Sequence, residues 1–230
     1  MSISEFDLIG TNHDVVTYKG TKIDLYFYTP EDVPNIHPKY KEIYKNLFTF
    51  VEALAKELDV ECPALSIRQS IILVDPKTKL PSKQAAYLYS KHQYPNLERT
   101  VILLAFDVMG DSDIYLKGVL AHELRHMWQD KNKPENRVKN ASGYWESLTD
   151  EAEIDADAYA INFIASNFLA WDFENAADIL CPYEKEHNPE AYTQRLERAM
   201  TYCTNHPKIG FIFKLLMKLT GKSMFIKKDR

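Results

Sequence analysis

Residues 121 to 130 read AHELRHMWQD and contain His122, Glu123, Leu124, Arg125 and His126, two histidines four apart with a glutamate beside the first. On a helix of 3.6 residues per turn, positions four apart share a face, so both imidazoles can point at one ion. Glu123 stands one step round the cylinder, within reach of a water at that ion but not placed as a ligand. This is the division of labour that metal-assisted hydrolysis requires: the ion acidifies water, and the carboxylate takes its proton and delivers it to the leaving group. The helix itself, expected from about Ile114 to Gln129, is marked by a second, apolar stripe of Leu120, Leu124, Met127 and Trp128.

A catalytic zinc usually has three protein ligands and one open position, so two histidines leave one to be found. The extended histidine pattern of the metzincins is excluded, because Gln129 and Asn132 stand where it needs glycine and histidine. Further on, TDEAEIDADAYA (149 to 160) places Glu153 and Asp157 four apart in a helix expected from about Trp145 to Leu169. Glu153 can supply the third ligand, and Asp157, one turn later, can accept from the outer ring nitrogen of a ligating histidine and fix its tautomer. A register shift offers Glu151 with Asp155 instead. Ala156, Ala158 and Ala160 flank the Glu153–Asp157 face and favour it, since small residues let two helices approach closely. Asp150, Glu151 and Asp155 read as solvated charges that complement the helix dipole.

With these motifs the sequence resembles the gluzincins, and within them the ImmA/IrrE-type metallopeptidases. The resemblance spans about residues 65 to 170. It implies an α+β zincin-like core, with a small mixed or antiparallel sheet and two zinc-binding helices. It further implies one Zn2+ held by His122, His126 and Glu153, Glu123 as general base and acid, and Asp157 behind a ligand. An edge strand that pairs with an extended substrate is also implied, either RTVILLAF (99 to 106) or AAYLYS (85 to 90). Characterised members often cleave a repressor, so a protein or peptide substrate of that kind is implied by analogy. Arg125 departs from the family, whose members often carry a small residue there. Candidates for stabilising an oxyanion are Tyr144, Tyr159 and His187.

Around this core, TYKGTKIDLYFYTP (17 to 30) reads as a strand after a Lys-Gly turn, and Tyr40 to Leu58 as an amphipathic helix with Ile43, Leu47, Phe50, Val51, Leu54 and Leu58 inward. LSIRQSIILV (65 to 74) reads as one strand, DPKTKLPSK as turn, and residues 190 to 203 and 209 to 219 as helices. The chain of 230 residues is expected to form one domain, with an N-terminal strand and helix (17–60) and a C-terminal helical extension (171–230) on the core.

Net charge of −5 and a pI near 5.8 give no electrostatic reason to bind nucleic acid. No apolar run reaches the ~20 residues that span a bilayer. The N-terminus has no secretory leader, and the three cysteines, Cys62, Cys181 and Cys203, suit a reducing compartment, so a cytoplasmic location is expected. Cys181, His187, Cys203 and His206 lack the spacing of a structural zinc knuckle. The basic, apolar C-terminal stretch from Lys208 to Arg230 reads as a helix closing the core with solvated lysines. Against the peptidase stands a rival from another class, a zincin-fold module that holds a partner protein without catalysis. The intact Glu123 separates the two, because a purely structural site has no use for it.

Overall fold

The computed structural model describes residues 10–18, 20–74, 81–106, 108, 112–134 and 150–204. The fold is α+β. It opens with a hairpin of β1 (Asn12–Tyr18) and β2 (Thr21–Phe27), in antiparallel register from Asn12↔Phe27 to Tyr18↔Thr21. Gly20 turns the chain at φ +81°, a left-handed conformation that glycine adopts without a Cβ clash. Sequence alone gives only the second of these strands.

A short 3-10 turn (Pro30–Asn35) leads into α1 (Pro38–Glu57), which starts with proline at its first position and the His37 ring accepting from the Lys39 amide at 3.3 Å. Its buried stripe is Tyr40, Tyr44, Leu47, Phe48, Val51, Leu54 and Ala55, so the inward face is rotated toward the tyrosines relative to the expected one. Ile43 and Phe50 are only partly covered.

The segment from 65 to 74 is two strands, not one. β3 (Ala64–Arg68) lies in a three-stranded sheet, while β4 (Ile71–Val74) forms a separate hairpin with β5 (Pro81–Gln84). In the three-stranded sheet β7 (Val101–Ala105) is central, parallel to β3 and antiparallel to β6 (Ala86–Tyr89). Every residue of β7 is buried, as its unbroken apolar sequence requires. A central strand has no free edge, which removes RTVILLAF as a substrate-pairing strand and leaves β6 at the border. On the other side of the sheet, Tyr28 and Leu65 exchange backbone hydrogen bonds, both 2.9 Å, and tie the first hairpin to β3.

After β7 come α2 (Asp113–Asn132), capped by the Ser112 hydroxyl accepting from the Tyr115 amide, and α3 (Glu151–Phe168), capped by Asp150 accepting from the Ala152 amide. The expected start of α3 at Trp145 lies outside the described residues. Ala170 and Trp171, both at positive φ, end α3 by turning the chain left-handed, and the Trp171 amide closes the turn on the Ala165 carbonyl. Then follow, within the expected C-terminal helical extension, two short helices that the sequence does not delimit, α4 (Phe173–Leu180) and α5 (Pro182–His187), and the expected α6 (Pro189–Thr204).

Two apolar clusters result. One joins the hairpin, the sheet, α1 and the apolar side of α2; the other joins α3, α4 and α6 around Ile161, Ile164, Ala165 and Ala199. Helices α2 and α3 pack together along a seam, and α6 packs on α3. A glycine in mid-helix costs about 1 kcal/mol against alanine, and Gly118 of α2 has a packing reason: a Cβ there would lie 2.5 Å from a Leu180 methyl of α4. The described residues contain no helix long and apolar enough to cross a membrane.

Candidate metal centre

The seam between α2 and α3 brings together four of the five residues singled out from the sequence. His122 and His126 of α2 and Glu153 of α3 form the one group among the described residues in which three ligating side chains lie within reach of a common ion. Their nearest ligand atoms are 3.0 Å apart for the two Nε2 atoms, 3.4 Å from His122 Nε2 to Glu153 Oε2, and 3.4 Å from His126 Nε2 to Glu153 Oε1. Zn–N and Zn–O bonds of 2.0–2.1 Å at tetrahedral angles put ligand atoms about 3.3 Å apart, a spacing close to these separations. Asp157 stands behind it, its Oδ1 at 2.8 Å from His122 Nδ1. Glu123, the fifth residue, is buried in α2 and is not part of the three-ligand group.

Hydrogen bonding fixes both imidazoles. A carboxylate only accepts, so His122 Nδ1 carries the hydrogen toward Asp157, and in the neutral ring Nε2 is the nitrogen that keeps a lone pair. For His126 the partner is Gln129, whose Oε1 lies 2.8 Å from Nδ1. The Gln129 amide cannot be reversed, because its Nε2 donates at 2.8 Å to both the Ala152 carbonyl and Asp155 Oδ2. Nδ1 of His126 is therefore a donor as well. With both rings neutral, two nitrogen lone pairs would face each other across 3.0 Å with a carboxylate beside them, an arrangement that calls for a cation or a proton between them.

The electrostatics agree. Burial would push the His122 imidazolium down, but the Asp157 and Glu153 carboxylates hold its pKa well above the ordinary histidine value. Burial would likewise raise Glu153, yet His126 and His122 hold it well below the usual carboxylate range. The space between the three groups is built for positive charge. His126 is buried, with 5% of its side chain exposed, while His122 and Glu153 keep 20% and 30% of theirs exposed.

Outside the ligands, the structure corrects one reading and supplies residues that sequence reasoning missed. Asp155 is not a solvated charge. It accepts from Arg125 Nε at 2.8 Å, from Gln129, and from the Tyr202 hydroxyl at 2.5 Å, and although burial opposes it these donors bring its pKa down to about 2. Glu151, in contrast, is exposed and pairs with Arg198, so the alternative Glu151–Asp155 register is not the one that faces the histidines. Arg125 is buried, its guanidinium 3.7 Å from the Trp128 ring centre and 5.2 Å from that of Tyr159. Arg125 thus has packing and hydrogen-bonding partners of its own.

Arg195 of α6, 2% exposed at its side chain, donates through Nε to Asp157 Oδ2 at 2.6 Å. Gln129, one turn beyond His126 on the same face, was legible as its neighbour by spacing alone; Arg195, 38 residues from Asp157, carried no local signal.

Of the oxyanion candidates, Tyr159 lies against Arg125 and Tyr202, and His187 stacks on Tyr183 at 4.1 Å. Tyr144 lies outside the described residues, as do the side chain of Cys203, His206 and the C-terminal stretch 208–230. Cys181 is a buried free thiol. Comparison of the chain with protein-family models, with curated proteins and with solved structures finds no match.

Proposed function

We propose that the chain is a zinc-dependent endopeptidase of gluzincin type, with a zincin-like core. The observation that carries this reading is the convergence of two Nε2 atoms, 3.0 Å apart, on the Glu153 carboxylate, with Oε2 at 3.4 Å from His122 and Oε1 at 3.4 Å from His126. His122, His126 and Glu153 would hold the ion, and the donor set of two imidazoles and one carboxylate is that of a catalytic zinc with an open position. When bound, zinc supplies a Lewis acid that lowers the pKa of water and polarises a peptide carbonyl.

The remaining chemistry belongs to the chain. Glu123 takes a proton as water adds to the carbonyl carbon and returns it to the amine as the C–N bond breaks, so one water is consumed and two termini are released. Asp157 and Gln129 keep both imidazoles in the tautomer that leaves Nε2 free. Strand β6, at the border of the sheet beside α2, offers backbone groups to an extended segment of a protein substrate. By the family resemblance, a repressor is the substrate class to try first.

The test is peptide-bond hydrolysis by the purified chain on a diverse peptide library read by mass spectrometry. Cleavage that a chelator stops, that added zinc restores, and that Glu123→Gln lacks is the expected result. A zinc-loaded wild type that cleaves nothing, across the library and repressor substrates, would favour the partner-holding module.

A further inference from the structure

Both ligand histidines are anchored, through α3, on a single helix that contributes no ligand. The first line runs from His122 Nδ1 to Asp157 at 2.8 Å and from Asp157 to Arg195 at 2.6 Å. The second runs from His126 Nδ1 to Gln129 at 2.8 Å, from Gln129 to Asp155 at 2.8 Å, and from Asp155 to the Tyr202 hydroxyl at 2.5 Å. Arg195 and Tyr202 are seven residues apart, two helical turns, and so occupy one face of α6, with Ala199 fully buried between them.

We propose that Arg195 and Tyr202 are positioning residues for the metal centre, so that α6 is a working part of the site and not a cover on it. The proposal rests on the metal reading above and extends it to the residues that set ligand geometry.

The physical argument is one of orientation. A carboxylate held by one hydrogen bond can rotate, and an imidazole that follows it turns its lone pair off the ion. Arg195 occupies Oδ2 of Asp157 and leaves Oδ1 aimed at His122. Arg125 and Tyr202 together occupy Oδ1 of Asp155, and Arg125 Nε and the Gln129 amide share Oδ2. That fixes the amide, and with it His126. Arg195 is itself fixed, donating through Nη1 to the Ala191 carbonyl one turn back.

A bare electrostatic view predicts the opposite sign. Arg195 adds positive charge near a cation site, so its removal would tighten metal binding if charge alone decided. Outer partners of metal-bound histidines typically contribute about 10–100-fold to metal affinity, and this proposal assigns that sign to Arg195.

Arg198 supplies an internal control. It lies on the same helix and also pairs with an acid of α3, Glu151 at 2.6 Å, but Glu151 joins neither histidine line.

The experiment is cobalt(II) titration of the full chain, followed by the visible ligand-field bands of the bound ion and by competition with a chelator. The variants are Arg195→Gln, Arg195→Lys, Tyr202→Phe and Arg198→Gln, each checked for wild-type circular dichroism. Expected are an affinity at least about ten-fold lower in Arg195→Gln with altered bands, partial rescue in Arg195→Lys, and a few-fold loss in Tyr202→Phe. Arg198→Gln should match wild type. If Arg195→Gln does not fold, Arg195→Lys and Tyr202→Phe decide by the same bands.

Folded variants at Arg195 and Tyr202 that bind cobalt as tightly as wild type, or more tightly, with unchanged bands, would overturn the proposal and leave the metal reading standing. A wild type that takes up no cobalt would overturn both.

Discussion

Helices α1 and α2 are each twenty residues long and each packs against the apolar cluster around the sheet, yet they bury different chemistry. Helix α1 buries apolar residues and tyrosines along one stripe. Helix α2 buries Leu116, Val119, Leu120 and Leu124 on one side and Glu123, Arg125, His126 and Gln129 around the rest. Burying an ionised pair costs desolvation that its attraction only about repays, so the polar side of α2 is a poor source of stability. Helix α1 thus buries its face for the fold, while α2 gives part of its buried surface to the candidate metal centre.

The sharpest way to separate the two roles is Glu123→Gln. It keeps size but removes the base, so hydrolysis should fall by about 10²–10⁴-fold while bound zinc per chain stays at the wild-type value. Loss of metal along with activity would make Glu123 structural and erase the distinction. In α1 the converse holds. Leu54→Ala opens a cavity under a residue that is 3% exposed and should cost about 2–5 kcal/mol in urea unfolding, with zinc content of the folded protein unchanged.

The polar side of α2 has a pH signature of its own. Asp155, at 13% side-chain exposure beside Arg125, has its folded pKa depressed to about 2 from an ordinary 3.8. The stabilisation from a depressed carboxylate is complete above the ordinary value and is lost as pH falls through the folded one. In metal-free protein it should therefore weaken from about pH 4 down to about pH 2, by about 2 kcal/mol in all. Urea midpoints of wild type should drop more steeply over that range than those of Asp155→Asn. Parallel slopes would remove Asp155 from the account. The smallest effect belongs to the exposed pair on the outer face of α3: Arg198→Gln should change stability by less than about 1 kcal/mol and metal content not at all.

How much of this was legible in the sequence follows from the range of the interactions. His122, His126, Glu153 and Asp157 were found because helix periodicity places them, and periodicity needs only neighbours four apart. The alanines of α3 pointed to the close approach that brings the two pairs together. Spacing put Asp157 on the face that meets His122, but it also left Asp155 as a solvated charge, because spacing assigns a face while what covers that face comes from elsewhere in the chain. Its partners Arg125 and Tyr202 are 30 and 47 residues away, and Arg195 reaches Asp157 from a helix whose sequence shows ordinary amphipathicity. In the sheet, one apolar run from 65 to 74 hid a break at Gln69–Ser70, because apolar content does not show where a strand changes partner. The edge strand was undecided between two candidates until pairing put β7 in the centre.

The central claim is that His122, His126 and Glu153 hold one zinc ion while Glu123 does not. The most direct test is zinc per chain, by elemental mass spectrometry, in wild type, Glu123→Gln and Glu153→Ala purified identically and dialysed against trace zinc. The account predicts close to one zinc in the first two and a clear loss in the third. Wild type without zinc, or Glu153→Ala that retains it fully, would contradict it.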